Sequence, residues 1–71
     1  MGWIDWKKKN VYIIVETDTC TRNYSGIVDD VVFMGMNIDN IEIYLLELID
    51  RFDKKVGIIS SSIKVIQEEA R

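Results

Sequence analysis

Apolar side chains alternate along the segment Val11 to Glu16. Val11, Ile13 and Val15 fall on one side, and Tyr12, Ile14 and Glu16 on the other. This is the period-two signature of a strand buried mainly on one face. Thr17 to Asn23 comes next with seven polar or small residues, enough to reverse the chain. A second strand is expected from Tyr24 through Val28 and on toward Val32. Gly26 sits inside it, where a missing side chain removes resistance to a sharp bend. Gly, Asn and Asp then concentrate between Phe33 and Asn40, the mark of a loop.

The stretch Ile41 to Phe52 supports two readings. Ile41, Leu45, Leu48 and Phe52 fall at helical spacing, Asp39-x-x-Glu42 resembles a capping box, and Glu47/Arg51 and Asp50/Lys54 are i,i+4 charge pairs. Against a helix, Ile41-Glu42-Ile43-Tyr44 alternates, and a helix would leave Ile43, Tyr44 and Leu46 outside its apolar stripe. The residues C-terminal to this stretch favour a strand over 41–50. Asp50 to Lys55 reads as a hairpin turn, Val56 to Ile59 as a strand, Ser60-Ser61-Ser62 as a tight connection, and Ile63 to Gln67 as an alternating final strand.

Five strands with short connections predict an all-β fold: a small, strongly bent, five-stranded antiparallel barrel, closed or nearly so. Trp3, Ile4 and Trp6 lie on one side of a short N-terminal helical turn. They either cap the open end of the barrel or form an aromatic and basic surface for a partner. The 71 residues make one domain, with a lead-in at 1–10, the barrel at 11–67 and a charged tail at 68–71.

Composition changes this picture in one respect. A chain of this size buries only about 60% of its unfolded surface, yet 48% of its residues are hydrophobic. Small domains usually supplement so small a core with disulfides, a metal or a partner subunit. One cysteine and no histidine exclude an internal disulfide and disfavour zinc. Self-association is the supplement that remains.

Chemistry is sparse. The net charge of −3 argues against a generic nucleic-acid binder, whose affinity comes from neutralising phosphates. Lys7, Lys8 and Lys9 form a basic cluster, either phosphate contacts or a solvated charge run. Adjacent acids such as Asp29 and Asp30 point to opposite faces of a strand, so neither they nor Asp50 and Asp53 form an acid/base couple or a metal site. Cys20 has no histidine to activate it. No enzyme and no cofactor are expected. With a free thiol, no secretion signal and no apolar run of the roughly 18 residues that a membrane span requires, a cytoplasmic location is expected.

Strand order and spacing over Lys9 to Gln67 resemble the Sm-like (LSm and Hfq) family. Tyr24-Ser25-Gly26 matches its aromatic-x-glycine step, and Met36-Asn37 its later Met-Asn pair. Ile59-Ser60-Ser61-Ser62-Ile63-Lys64-Val65-Ile66 has the shape of its second motif, with serines in place of the Arg-Gly or Lys-His found there. The resemblance implies an SH3-like, Sm-type barrel and a homo-oligomeric ring that binds single-stranded RNA around its pore. Phe33 or Met36 would then be the stacking platform and Asn37 the base-edge partner, with Ser60 and Ser61 where the family carries a cation. The bland alternative makes Phe33 core, Met34 and Met36 packing, and Asn37 a turn residue. Edge strands at 56–60 and 63–67, free of proline, independently point to pairing between copies. A ring that serves as a protein-interaction scaffold, with the RNA pocket degenerate, is the alternative function.

Overall fold

The alternating segments become five strands: β1 (Asn10–Glu16), β2 (Thr21–Met36), β3 (Glu42–Asp50), β4 (Lys55–Ile59) and β5 (Ile63–Glu68). The computed structural model describes residues 2–69. All five strands lie in one antiparallel sheet of order β4-β3-β2-β1-β5. The segment 41–50 is therefore strand and not helix. Leu46 and Leu48 face the core, and each continues a row that β2 and β4 complete.

β2 organises the sheet because it is long enough to serve two partners. Its first part pairs with β1, from Glu16↔Thr21 to Asn10↔Ile27, and its second with β3, from Gly26↔Asp50 to Met36↔Glu42. The exchange of partners happens at Gly26 and Ile27. A Cβ on Gly26 would lie 2.1 Å from the Ile49 carbonyl oxygen, so the β3 backbone closes onto β2 at a point where only glycine fits. The ladder with β3 shifts register twice, at Asp29 and at Met34. Gly35, with φ 115°, takes the left-handed conformation that such a bulge demands.

β4 and β5 occupy opposite edges, yet only the 3-10 turn Ser60–Ser62 joins them. In a flat sheet the two edges would stand about 19 Å apart, whereas the step from Ile59 to Ile63 reaches at most about 14 Å even when fully extended. The sheet must therefore curl. It stays open: among the described residues β4 and β5 exchange no ladder pairs.

The curl encloses a small core of Val11, Ile13, Val28, Val31, Leu46, Leu48 and Ile58. Two rows cross three strands, Val28–Leu48–Val56 and Val31–Leu46–Ile58, and Ile13 sits between Tyr24 and Ile66. The N-terminal turn is a 3-10 helix at Trp3–Trp6, and both tryptophans pack against this core. Its exit is tied to β2 by Lys8 N–H to the Val28 carbonyl (2.7 Å) and Val28 N–H to the Lys9 carbonyl (3.0 Å).

The observed strands outrun the expected ones. β2 begins at Thr21, so the first reversal is only Thr17 to Cys20, closed by Thr17 N–H to the Cys20 carbonyl at 2.9 Å. Thr21, Arg22 and Asn23 pair with Glu16, Val15 and Ile14 despite their turn-like composition. At the far end β2 absorbs Phe33 to Met36, leaving Asn37 to Ile41 as the loop. No helix among the described residues is long and apolar enough to cross a membrane.

Candidate functional site

The chain has more large apolar side chains in water than in its core. Seven are buried, whereas eleven are exposed among the described residues. Val32, Phe33, Met34, Met36, Ile38 and Ile41 of that exposed set crowd the far end of the β2–β3 hairpin. β2 and β3 are here longer than the strands that flank them, so the hairpin carries these side chains past the core. Ile38 at the tip is 98% exposed.

The hairpin end is built rigidly. Asn37 Oδ1 accepts N–H bonds from Asp39 (2.8 Å) and Ile41 (3.1 Å). The Asn37 N–H donates to the Ile41 carbonyl, and the Asn40 N–H to the Asn37 carbonyl, both at 3.0 Å. Asn40 adopts φ 60°, which asparagine tolerates better than most residues. The Asn37 side chain thus spends its acceptor on the loop. Beneath the tip, Phe33 lies edge-on to Tyr44, with ring centroids 5.4 Å apart and an interplanar angle of 63°. Tyr44 Oη donates to Glu42 at 3.3 Å. Burial first, and then the Glu42 charge, hold the Tyr44 phenol above its usual pKa.

The serine turn is placed beside this end of the hairpin through β3. Ser60 is buried, and its Oγ accepts the Tyr44 N–H at 3.0 Å. Its hydroxyl takes over where the β4 ladder stops at Leu45↔Ile59. Ser61 is exposed, and Ser62 Oγ donates to the Ile59 carbonyl at 2.7 Å. The fold therefore brings Phe33, Tyr44 and Ser60 together, with Met36 and Asn37 above them at the tip. Ser60→Ala is expected to leave the Tyr44 N–H without an acceptor and to cost about 1–3 kcal/mol. Ser61→Ala should stay within about 0.5 kcal/mol of the parent. Urea unfolding of the two variants checks the contrast.

Lys7, Lys8 and Lys9 lie on another part of the surface, each beside a carboxylate: Lys7–Asp30 (3.4 Å), Lys8–Asp29 (3.3 Å) and Lys9–Glu68 (3.5 Å). The Val31 backbone N–H, followed by Lys7, holds the Asp30 carboxyl below the usual aspartate range. Lys55 pairs with Asp29 and Glu47, and Lys64 with Glu16 at 2.7 Å. Cys20 is exposed in the first turn. The Thr17 hydroxyl, 3.5 Å from Sγ, and then Arg22 lower its thiol pKa.

Tyr44, Ile38 and Ile41 also belong to the hairpin end, beyond the site residues that the resemblance implies. A signal for them existed: no lysine or arginine occurs between Val31 and Asp50, where Asp39, Glu42, Glu47 and Asp50 are the only charges. The apolar end is thus acidic at its margins. Among the described residues, no group of three or more His, Cys, Asp or Glu side chains is placed to hold a metal ion. Compared with protein-family models, characterised proteins and solved structures, the chain matches none.

Proposed function

We propose that this protein is a Sm-type barrel subunit that assembles edge to edge into a cytoplasmic homo-oligomeric ring, and that the ring acts as a protein-interaction scaffold. One observation carries the reading: the β2–β3 hairpin ends in a hydrogen-bonded turn crowded with exposed Phe, Met and Ile side chains, and no lysine or arginine lies between Val31 and Asp50. Exposed apolar patches of this kind mark protein contacts, and methionines adapt to varied partner surfaces. Single-stranded RNA needs neutralising charge as well as stacking. Here Lys7, Lys8 and Lys9 are already matched by carboxylates, and Ser60 Oγ and Asn37 Oδ1 already accept backbone N–H groups.

Assembly draws its support from the edges. β4 and β5 are five and six residues long, and the chain contains no proline. Both strands keep a side unpaired among the described residues. Free edges are commonly guarded by lysine or proline, and the one lysine on β5, Lys64, is neutralised by Glu16. Pairing β4 of one copy with β5 of the next is heterologous, and such a contact closes into a ring when its rotation permits.

RNA binding at the pore is the second reading. It is favoured by the Phe33–Tyr44 pair, whose half-exposed aromatic surface could stack a base, with Met36, Asn37, Ser60 and Ser61 around it. Light scattering and titration with labelled oligo-U and oligo-A at two salt concentrations separate the alternatives. The scaffold reading expects a discrete oligomer that the double variant Ile59→Lys/Val65→Lys converts to monomer, and no sensitivity of oligonucleotide binding to Phe33→Ala or Asn37→Ala. A monodisperse monomeric parent overturns the ring. Binding that both pore variants weaken at constant oligomer size replaces the scaffold with the RNA reading.

A further inference from the structure

At the opposite end of the β2–β3 hairpin, two grooves meet over Gly26. One, of about 350 Å³, is lined by Asn10, Ser25, Ile27, Asp50, Arg51 and Asp53 among others. The other, of about 290 Å³, runs along Asn23, Tyr24 and Ser25 to Arg51 and Phe52. They share Ser25, Asp50 and Arg51. From these residues we infer a binding site for an unpaired nucleic-acid strand, independent of the scaffold reading and distant from the apolar hairpin tip.

The first support is the distribution of cations. Lys7, Lys8, Lys9, Lys55 and Lys64 all stand within ion-pair distance of carboxylates. Among the described residues Arg22, Lys54 and Arg51 do not. Arg51 lines both grooves. Arg22 stands two residues before Tyr24 on the same face of β2 and interacts with its phenol. Of these three, Arg51 is the cation that the groove itself presents to a ligand. The guanidinium group suits phosphate, because its planar donors pair with two oxygens at once.

The second support is the aromatic platform. Phe52 is 69% exposed, an expensive position for a side chain with no role in the core. The turn that presents it is braced, since Asp50 Oδ1 accepts the N–H groups of Phe52 and Lys54, both at 2.9 Å. Asp53 closes the turn at φ 63°, with its N–H bonded to the Asp50 carbonyl at 3.0 Å. The Arg51 guanidinium lies over the ring, 5.0 Å from its centroid. An arginine stacked on a presented ring offers a base one π-face and its phosphate one cation, the pairing that unpaired strands use without sequence preference. Tyr24 forms the groove wall, and the Asn23 and Ser25 side chains bring hydrogen-bonding groups to the rim. Asp50 and Asp53 also line the groove and hold the affinity down, on the order of 10 to 100 µM at low salt.

The test is fluorescence anisotropy with labelled 15-mers of oligo-rU and oligo-dT, at 50 and 200 mM salt, on the full chain. Binding of either strand is expected, with Phe52→Ala weakening it about tenfold. Arg51→Gln should weaken it and flatten the salt dependence by about 0.7 in log K per log salt. Lys54→Gln, in the same turn but outside the groove lining, and Phe33→Ala, at the far end, should leave affinity within about twofold. Should Phe52→Ala change the circular dichroism or the oligomer size, Phe52→Leu keeps the bulk, removes the π-face and is read in its place. Absence of binding at 50 mM salt overturns the inference, as does binding untouched by the Phe52 and Arg51 variants. Binding lost through Phe33→Ala instead overturns it and restores the pore as the site.

Discussion

Gly26→Ala is expected to remove most of the stability of this domain, about 3 kcal/mol or more, and to leave a largely unfolded chain near 37 °C. The added Cβ would sit 2.1 Å from the Ile49 oxygen, 2.9 Å from its carbonyl carbon and 3.0 Å from the Asp50 Cα. All three are backbone atoms of β3, so no rotamer change relieves the clash. Either β3 moves off β2 at its C-terminal end or β2 loses its bend. Both outcomes pull Leu48 away from Val28, because the pairs Gly26↔Asp50 and Val28↔Leu48 belong to one ladder. Overpacking ordinarily costs 1–3 kcal/mol and sometimes more, and domains below about 80 residues rarely hold more than 3–5 kcal/mol in total. Gly57→Ala is the control. There the new Cβ meets only the Leu45 side chain, Cδ1 at 3.2 Å and Cγ at 4.0 Å, which can rotate away. Urea melts of the two variants should therefore differ by at least about 2 kcal/mol. Equal melts would mean that the β2–β3 crossing is not what requires glycine.

Gly26 also shows what the chain reveals about its fold and where it stops. A lone glycine inside a strand pattern announces a bend, and alternation in β1 and β5 announces strands, because both patterns are written in consecutive residues. The ends of β2 were hidden for a physical reason. Thr21, Arg22 and Asn23 are polar because that half of the strand lies largely exposed, and exposed polar strands have the composition of turns. Phe33 to Met36 reads as a loop because Gly35 and the asparagines around it supply a bulge and a tight reversal. The candidate surfaces were legible only in part. Phe33, Met36 and Asn37 are singled out only by the resemblance to the Sm-like family, since by themselves they read equally well as core, packing and turn. That Ser60 faces inward to meet the Tyr44 N–H depends on where β4 stops pairing with β3, a tertiary fact. The groove of Tyr24, Arg51 and Phe52 joins residues nearly thirty positions apart in sequence, and the pairing of β2 with β3 that starts at Gly26 brings them together.

Leu48→Ala is expected to cost about 3 kcal/mol and Leu45→Ala about 1 kcal/mol, although both leucines lie on β3 only three residues apart. Leu48 is fully buried between Val28 and Val56, and its truncation opens a cavity that a close-packed sheet cannot collapse. Leu45 faces the other way, in the outer row Val32–Leu45–Ile59, where Val32 and Ile59 are 38% and 37% exposed. Truncation there gives up area that water already reaches in part. Denaturant unfolding of the dilute variants measures the difference, and near-equal losses would mean that the outer face is covered even in the isolated subunit. The contrast has a functional side. Val32, Leu45 and Ile59 do little for the fold of one copy, yet they form an apolar row ending at the free edge strand β4. Ile59 contributes both to that row and to the edge that the proposed assembly would pair. Leu45→Ala should therefore weaken the oligomer more than it weakens the monomer, so the dilution midpoint of the oligomer in light scattering should rise while the urea midpoint of the subunit falls only about a third as far as in Leu48→Ala. Leu48→Ala should shift both together, because a subunit that unfolds cannot assemble.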